Sequence, residues 1–137
     1  MEKLERIARD LGKELQKDER YIAFMNARAE NEKDNELNEL IGRVQLIHLN
    51  YGREAEKGDD ADQDKLDNYE KEFNEAFTLV RNHPKMIKFE NARDELDRLM
   101  KYLTGILSMC ACGDDPESCD PEASQCSGDC SSCGGCN

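Results

Sequence analysis

The stretch NELNELIGRVQLIHLNYGREAEK, residues 35–57, decides how this chain folds. Leu37, Leu40, Ile41, Val44, Ile47, His48 and Tyr51 recur at intervals of three and four, so they share one face of a helix. The remaining positions are mostly polar or charged, which makes that helix amphipathic rather than wholly buried. Asp34 or Asn35 supplies its cap. A helix of this length spans roughly 35 Å.

Working outward, Gly58-Asp59-Asp60 is a turn signal, and a second long helix begins near Asp62 or Asp64. Its apolar positions are Leu66, Tyr69, Phe73, Phe77 and Val80. This is a seam-like pattern too short to establish a coiled coil. Asn82-His83-Pro84 interrupts it, with Asn82 as the cap and Pro84 in the first turn of a new helix. Met86, Phe89, Ala92, Leu96, Leu99, Met100, Leu103, Ile106 and Leu107 carry that helix to about residue 108. On the N-terminal side, Leu4, Ile7, Ala8, Leu11 and Leu15 predict a short helix over residues 2–16. Asp18 caps another, which bears Tyr21, Ile22, Met25 and Ala29. Residues 30–36 are wholly polar without Gly or Pro, and periodicity leaves open whether they are a turn or continuous helix. Gly12 reads either as a mild helix weakener or as a place where a neighbouring helix approaches closely. Nothing alternates with a period of two. The expected fold is all-α: an elongated antiparallel helical bundle over residues 1–109, followed by a cysteine-rich, largely irregular C-terminal tail over residues 110–137.

That tail is a different kind of chain. It holds all seven cysteines, six of the 31 acidic residues and none of the 19 basic ones. It contains no aromatic residue, and Gly, Ser, Pro, Asp, Glu and Cys dominate it from Gly113 onward. Without a ligand, such a composition buries too little apolar surface to offset its ordering entropy, so disorder is expected there in the metal-free form.

The net charge of −12 opposes direct contact with nucleic acid or an anionic membrane surface. Met1 leads into Glu2-Lys3-Leu4-Glu5-Arg6 with no apolar run behind it, so neither a secretion signal nor a membrane-spanning helix is expected. The expected compartment is the cytoplasm, where thiols stay reduced and clustered cysteines point to metal or redox chemistry rather than a disulfide framework.

The spacing of the cysteines bears on that chemistry. Cys110-x-Cys112 is followed after six residues by Cys119, and after six more by Cys126. Cys130, Cys133 and Cys136 then follow at steps of x3, x2 and x2. Cys126, Cys130, Cys133 and Cys136 form a set whose short loops let four thiolates converge on one centre, and Gly128, Gly134 and Gly135 permit the tight turns. Four thiolates suit a zinc ion or an iron–sulfur cluster, and their softness excludes Mg²⁺ and Ca²⁺ and admits Cu(I). Cys110, Cys112 and Cys119 remain for a second centre. Two other readings stay open: a flexible tail that buffers soft metals, and a set of redox-labile thiols.

Catalysis is not expected. His48 lies on the apolar stripe and His83 at a helix start, where packing and capping account for them. Neither phosphate-binding loop, dinucleotide fingerprint, HExxH nor nucleophile elbow occurs, and neither histidine forms a Glu-x-x-His pair.

Two stretches, Ala8, Leu11, Gly12, Leu15, Tyr21, Phe24 and Ala27, then Asp34, Glu36, Leu37, Leu40 and Ile41, resemble the YlbF/YmcA family of small bacterial helical regulators. Met86-Ile87-Lys88-Phe89-Glu90-Asn91-Ala92 with Leu96, Leu99 and Met100 is similar to that family's closing helix, so the resemblance covers about residues 2–108. Asp18, Arg20 and Val44 depart from it, standing where a Ser cap, an acid and an aromatic are frequent. The resemblance implies a non-enzymatic regulatory adaptor that associates with copies of itself or with paralogues. It further implies modulation of RNase Y-dependent mRNA processing, influence on competence, sporulation and biofilm development, and C-terminal cysteines that take part in holding iron–sulfur clusters. The alternatives are a soft-metal buffer on a helical scaffold and a structural helical oligomer with no specific ligand.

Overall fold

The computed structural model of the chain describes residues 2–123. Five α-helices follow one another: α1 (Glu2–Leu15), α2 (Glu19–Lys33), α3 (Asn35–Ala55), α4 (Gln63–Arg81) and α5 (Pro84–Ala111). A single 3₁₀ turn, Gly58–Asp60, lies between α3 and α4. No strand occurs among the described residues, so the fold is all-α. No helix among them is long and apolar enough to cross a membrane. The chain divides into two compact units, Met1–Ala92 and Arg93–Asn137, and α5 contributes to both.

Acidic caps mark the starts of α2, α3 and α4. Asp18 is extended, and its carboxylate accepts the Arg20 N–H at 2.9 Å while also pairing with the Arg20 guanidinium. The polar stretch of residues 30–36 resolves as helix to Lys33 and a break at Asp34. Asp34 is extended at φ −84°, ψ 106°, and its side chain accepts the Leu37 N–H at 2.9 Å. One residue thus ends α2 and starts α3. Asp62 caps α4 by accepting from the Asp64 and Lys65 N–H groups. At the next junction the structure corrects the reading of Asn82 as a cap. Asn82 closes the C-terminus of α4, with its N–H donating to the Thr78 and Val80 carbonyls. His83 caps α5 instead: its Nδ1 accepts the Lys85 N–H at 3.2 Å, and its carbonyl accepts the Ile87 N–H. Pro84 occupies the first helical position, where its missing N–H costs nothing.

α3 and α4 form an antiparallel hairpin, and the core of the first unit lies mainly between them. The register is fixed by His48 opposite Phe73 (ring centroids 6.1 Å apart) and by the Asp62 N–H donating to Glu54 at 2.9 Å near the turn. The buried residues among those described are Ala27, Leu37, Ile47, Ala76, Val80 and Glu54. Leu37 is the largest side chain among them that is fully buried. Tyr69 and Phe73 are half-buried in the hairpin, and Phe73 stacks on the more exposed Phe77. Phe24 of α2 meets Phe89 in the first turns of α5 at 5.4 Å.

α1 buries no residue, and Leu4, Ile7 and Leu11 stay exposed. Gly12 does not accommodate a close neighbour: a Cβ there would meet nothing within 4 Å. Among the described residues of this chain, no neighbouring helix makes a close approach there.

Glu54 is a carboxylate only 7% exposed, which the periodicity of α3 gives no reason to expect. It accepts the Asp62 N–H at 2.9 Å and the Lys57 ammonium at 2.7 Å, so its charge is fully engaged. The Lys57 ammonium, followed by the Asp62 N–H, holds its carboxyl below the ordinary glutamate range. The side chain ties the end of α3 to the start of α4.

Candidate thiol-based metal site

The second unit contains the described part of the cysteine tail. α5 ends in a hydrogen-bonded reversal. The Gly113 N–H donates to the Cys110 carbonyl at 3.1 Å and the Asp114 N–H to the Met109 carbonyl at 3.0 Å. This pair of bonds is a Schellman cap, which requires a left-handed residue after the helix. Gly113 supplies it at φ +100°.

Two short turns follow, each built on Asp-Pro-Glu. Asp115 accepts the Glu117 N–H and the Ser118 hydroxyl with its side chain, and the Ser118 and Cys119 N–H groups with its carbonyl. Asp120 repeats the arrangement, accepting the Glu122 N–H at 2.9 Å with its carboxylate and the Ala123 N–H with its carbonyl. In both, Asp acts as a cap and Pro takes the next position. Over the described residues 112–123 the tail has no helix or strand, as expected. Residues 113–123 are tied by backbone and side-chain hydrogen bonds of these turns. The repeat of Asp-Pro-Glu at residues 115–117 and 120–122 was the available signal.

These turns bring Cys119 beside Cys110. Both thiols are half-buried and neither enters a disulfide. Burial pushes the Cys119 thiol above its ordinary range, and a hydrogen bond with Cys110 and the nearby charge of Asp114 add to the shift. The Cys119 Sγ also lies 3.9 Å from the Pro116 carbonyl oxygen. Cys112, one residue before the reversal, is exposed. Cys126, Cys130, Cys133 and Cys136 lie outside the described residues, so the four-thiolate set read from their spacing has no structural description.

A soft cation fits this pair chemically. Two adjacent sulfurs are the beginning of a tetrahedral thiolate shell, and a protonated thiol with a raised pKa becomes a good ligand once a cation displaces its proton. Two thiols do not complete such a shell.

The first unit offers one other group of ligand-type side chains among the described residues. Atoms of Asp34, Glu36 and His83 lie within 4.8 Å of one another. Two of the three are already engaged, however. The Asp34 carboxylate caps α3 and pairs with the Lys85 ammonium at 2.8 Å, and that ammonium, ahead of the Leu37 N–H, lowers its pKa. His83 Nδ1 caps α5. The cluster is a helix junction with its own built-in cation. His48 is exposed, and its ring lies 6.1 Å from that of Phe73.

No curated protein and no solved structure matches the chain. The family model described as "Control of competence regulator ComK, YlbF/YmcA" matches residues 4–109, which takes in all five helices almost to the end of α5. Stopping at residue 109, that match leaves every cysteine outside it, so the body and not the thiol tail assigns the chain: it belongs to the YlbF/YmcA family.

Proposed function

We propose that this chain is a non-enzymatic cytoplasmic regulatory adaptor that works through protein–protein contacts and carries a thiolate metal or iron–sulfur centre at the C-terminal end of α5. Its family is named for control of the competence regulator ComK. The proposed setting is the one the family resemblance implies, modulation of RNase Y-dependent mRNA processing together with copies of itself or paralogues. The observation that carries the metal part is the side-by-side placement of Cys110 and Cys119 by hydrogen-bonded turns. Cys110, Cys119 and Cys112 would hold the centre together with thiols from Cys126, Cys130, Cys133 and Cys136. An iron–sulfur centre held there would make the tail sensitive to redox state or iron supply, whereas a zinc centre would be structural.

The adaptor part is supported by how little the body buries. Leu4, Ile7 and Leu11 on α1 and Leu46 and Leu49 on α3 are exposed, while six residues are buried among those described. These apolar side chains are available for contact with other proteins.

The test is anaerobic purification without added metal, with Fe, Zn and acid-labile sulfide measured per chain alongside the visible spectrum. A fixed stoichiometry, either Fe matched by sulfide with a visible band or Zn in a whole-number ratio, supports the proposal. Several weakly held ions in varying ratio would make the tail a soft-metal buffer, and metal-free protein would remove the centre altogether.

A further inference from the structure

Gly105 lies in the interior of α5, where glycine is a poorer choice than alanine because it loses more backbone freedom on folding. Its position explains it. A Cβ built on Gly105 would lie 2.7 Å from Pro121 Cβ and 2.9 Å from Pro121 Cγ. Proline's ring is fused to the backbone and cannot rotate aside, so any side chain at residue 105 would displace the chain itself at residue 121. Cys119 is two residues from Pro121, and the route from Gly113 to Ala123 has little slack because successive turns hold it. We infer that Gly105 is a positioning residue: its missing side chain lets Pro121 lie directly against α5, and that contact holds Cys119 against Cys110.

The inference rests on the proposed reading of these thiols as a ligand site and adds to it a preformed pair. The pair is set by packing before any metal arrives, so the site does not depend on metal for its first two ligands. Preorganisation of this kind raises affinity by lowering the ordering cost of binding.

A bidentate thiol reagent tests this without metal. In the full-length chain, Cys112, Cys126, Cys130, Cys133 and Cys136 are replaced by Ser, leaving Cys110 and Cys119. Phenylarsine oxide is then titrated under reducing conditions. Two S–H bonds break, two As–S bonds form, and the arsenical oxygen leaves with both protons as water, with no change of oxidation state. The parent should bind one arsenical per chain. Gly105→Ala should weaken that binding about tenfold or more, as expected when a fixed pair becomes a flexibly linked one. Helix content by circular dichroism should hold or rise, since alanine favours helix. Equal affinity in parent and Gly105→Ala overturns the inference, as does a parent that fails to bind the reagent. If Gly105→Ala loses helix content, Pro121→Gly alone decides, because it removes the ring that lies against Gly105 and leaves α5 untouched. Weakened arsenical binding supports the inference and unchanged binding overturns it. Failure of the metal proposal would appear separately, as metal-free wild-type protein, and would leave the arsenical result standing.

Discussion

Leu37→Ala offers the sharpest check on how this chain is held together. Leu37 is 0% exposed and sits at the start of α3, next to the Asp34–Lys85 ion pair. Truncation removes three buried carbons, worth about 2.4 kcal/mol at roughly 0.8 kcal/mol each. A residual cavity adds to this, although helices packed in so thin a core relax partly into the space. A total near 3 kcal/mol follows, toward the lower end of the usual range for such changes. At about 4 °C per kcal/mol for a domain of this size, the melting temperature should fall by roughly 12 °C. The assay is urea unfolding followed by circular dichroism at 222 nm, with Leu4→Ala as the control. Leu4 is 75% exposed and should shift stability by no more than about 0.5 kcal/mol. A loss under about 1 kcal/mol for Leu37→Ala would refute the packing argument. So would equal losses for the two variants, since Leu4 would then have to be buried too. An unchanged urea slope is required for the comparison to hold.

Gly113→Ala places a Cβ at φ +100° and should cost about 1–2 kcal/mol locally. Hydrogen exchange of the Gly113 and Asp114 amides should speed up, and unchanged protection would contradict the Schellman cap. The Asp18 carboxyl is lowered to about 2 from an ordinary 3.8, first by its hydrogen bonds with the Arg20 side chain and backbone. A depressed carboxylate stabilises the fold above its unfolded pKa and loses that contribution as pH falls through the folded value. The urea midpoint of Asp18→Asn should therefore fall less steeply than that of wild type between pH 3.8 and about 2. Parallel curves would show that the pairing does not matter. Because burial and the Cys110 neighbour raise the Cys119 pKa, metal binding should release protons and tighten with rising pH. Zinc titrations in buffers of different ionisation enthalpy should give different observed heats, and identical heats would argue against Cys119 as a ligand.

The helical body was legible in the sequence because its signals are local. The spacing of Leu37, Val44 and Ile47 requires a helix of period 3.6 whatever it packs against, and Asp18, Asp34 and Asp62 cap through bonds to residues two or three positions away. Asn82 was misread as a cap because Asn82 and His83 are both able to cap, and only backbone geometry separates the end of α4 from the start of α5. Glu54 escaped notice because its burial depends on Asp62 and Lys57 closing over it in the turn.

For the tail, the sequence by itself determined the donor chemistry: seven soft thiols, no base and no aromatic residue confined to residues 110–137. The tertiary structure decided which of the described thiols meet. Cys110 and Cys119 are nine positions apart, a separation at which neither helical periodicity nor metal-motif spacing predicts contact. They meet because Gly113 reverses the chain, two aspartates fix the turns, and Gly105 leaves room for Pro121. A close approach across a missing side chain has no signature in composition or periodicity, since it exists only after the two segments that share it have come together.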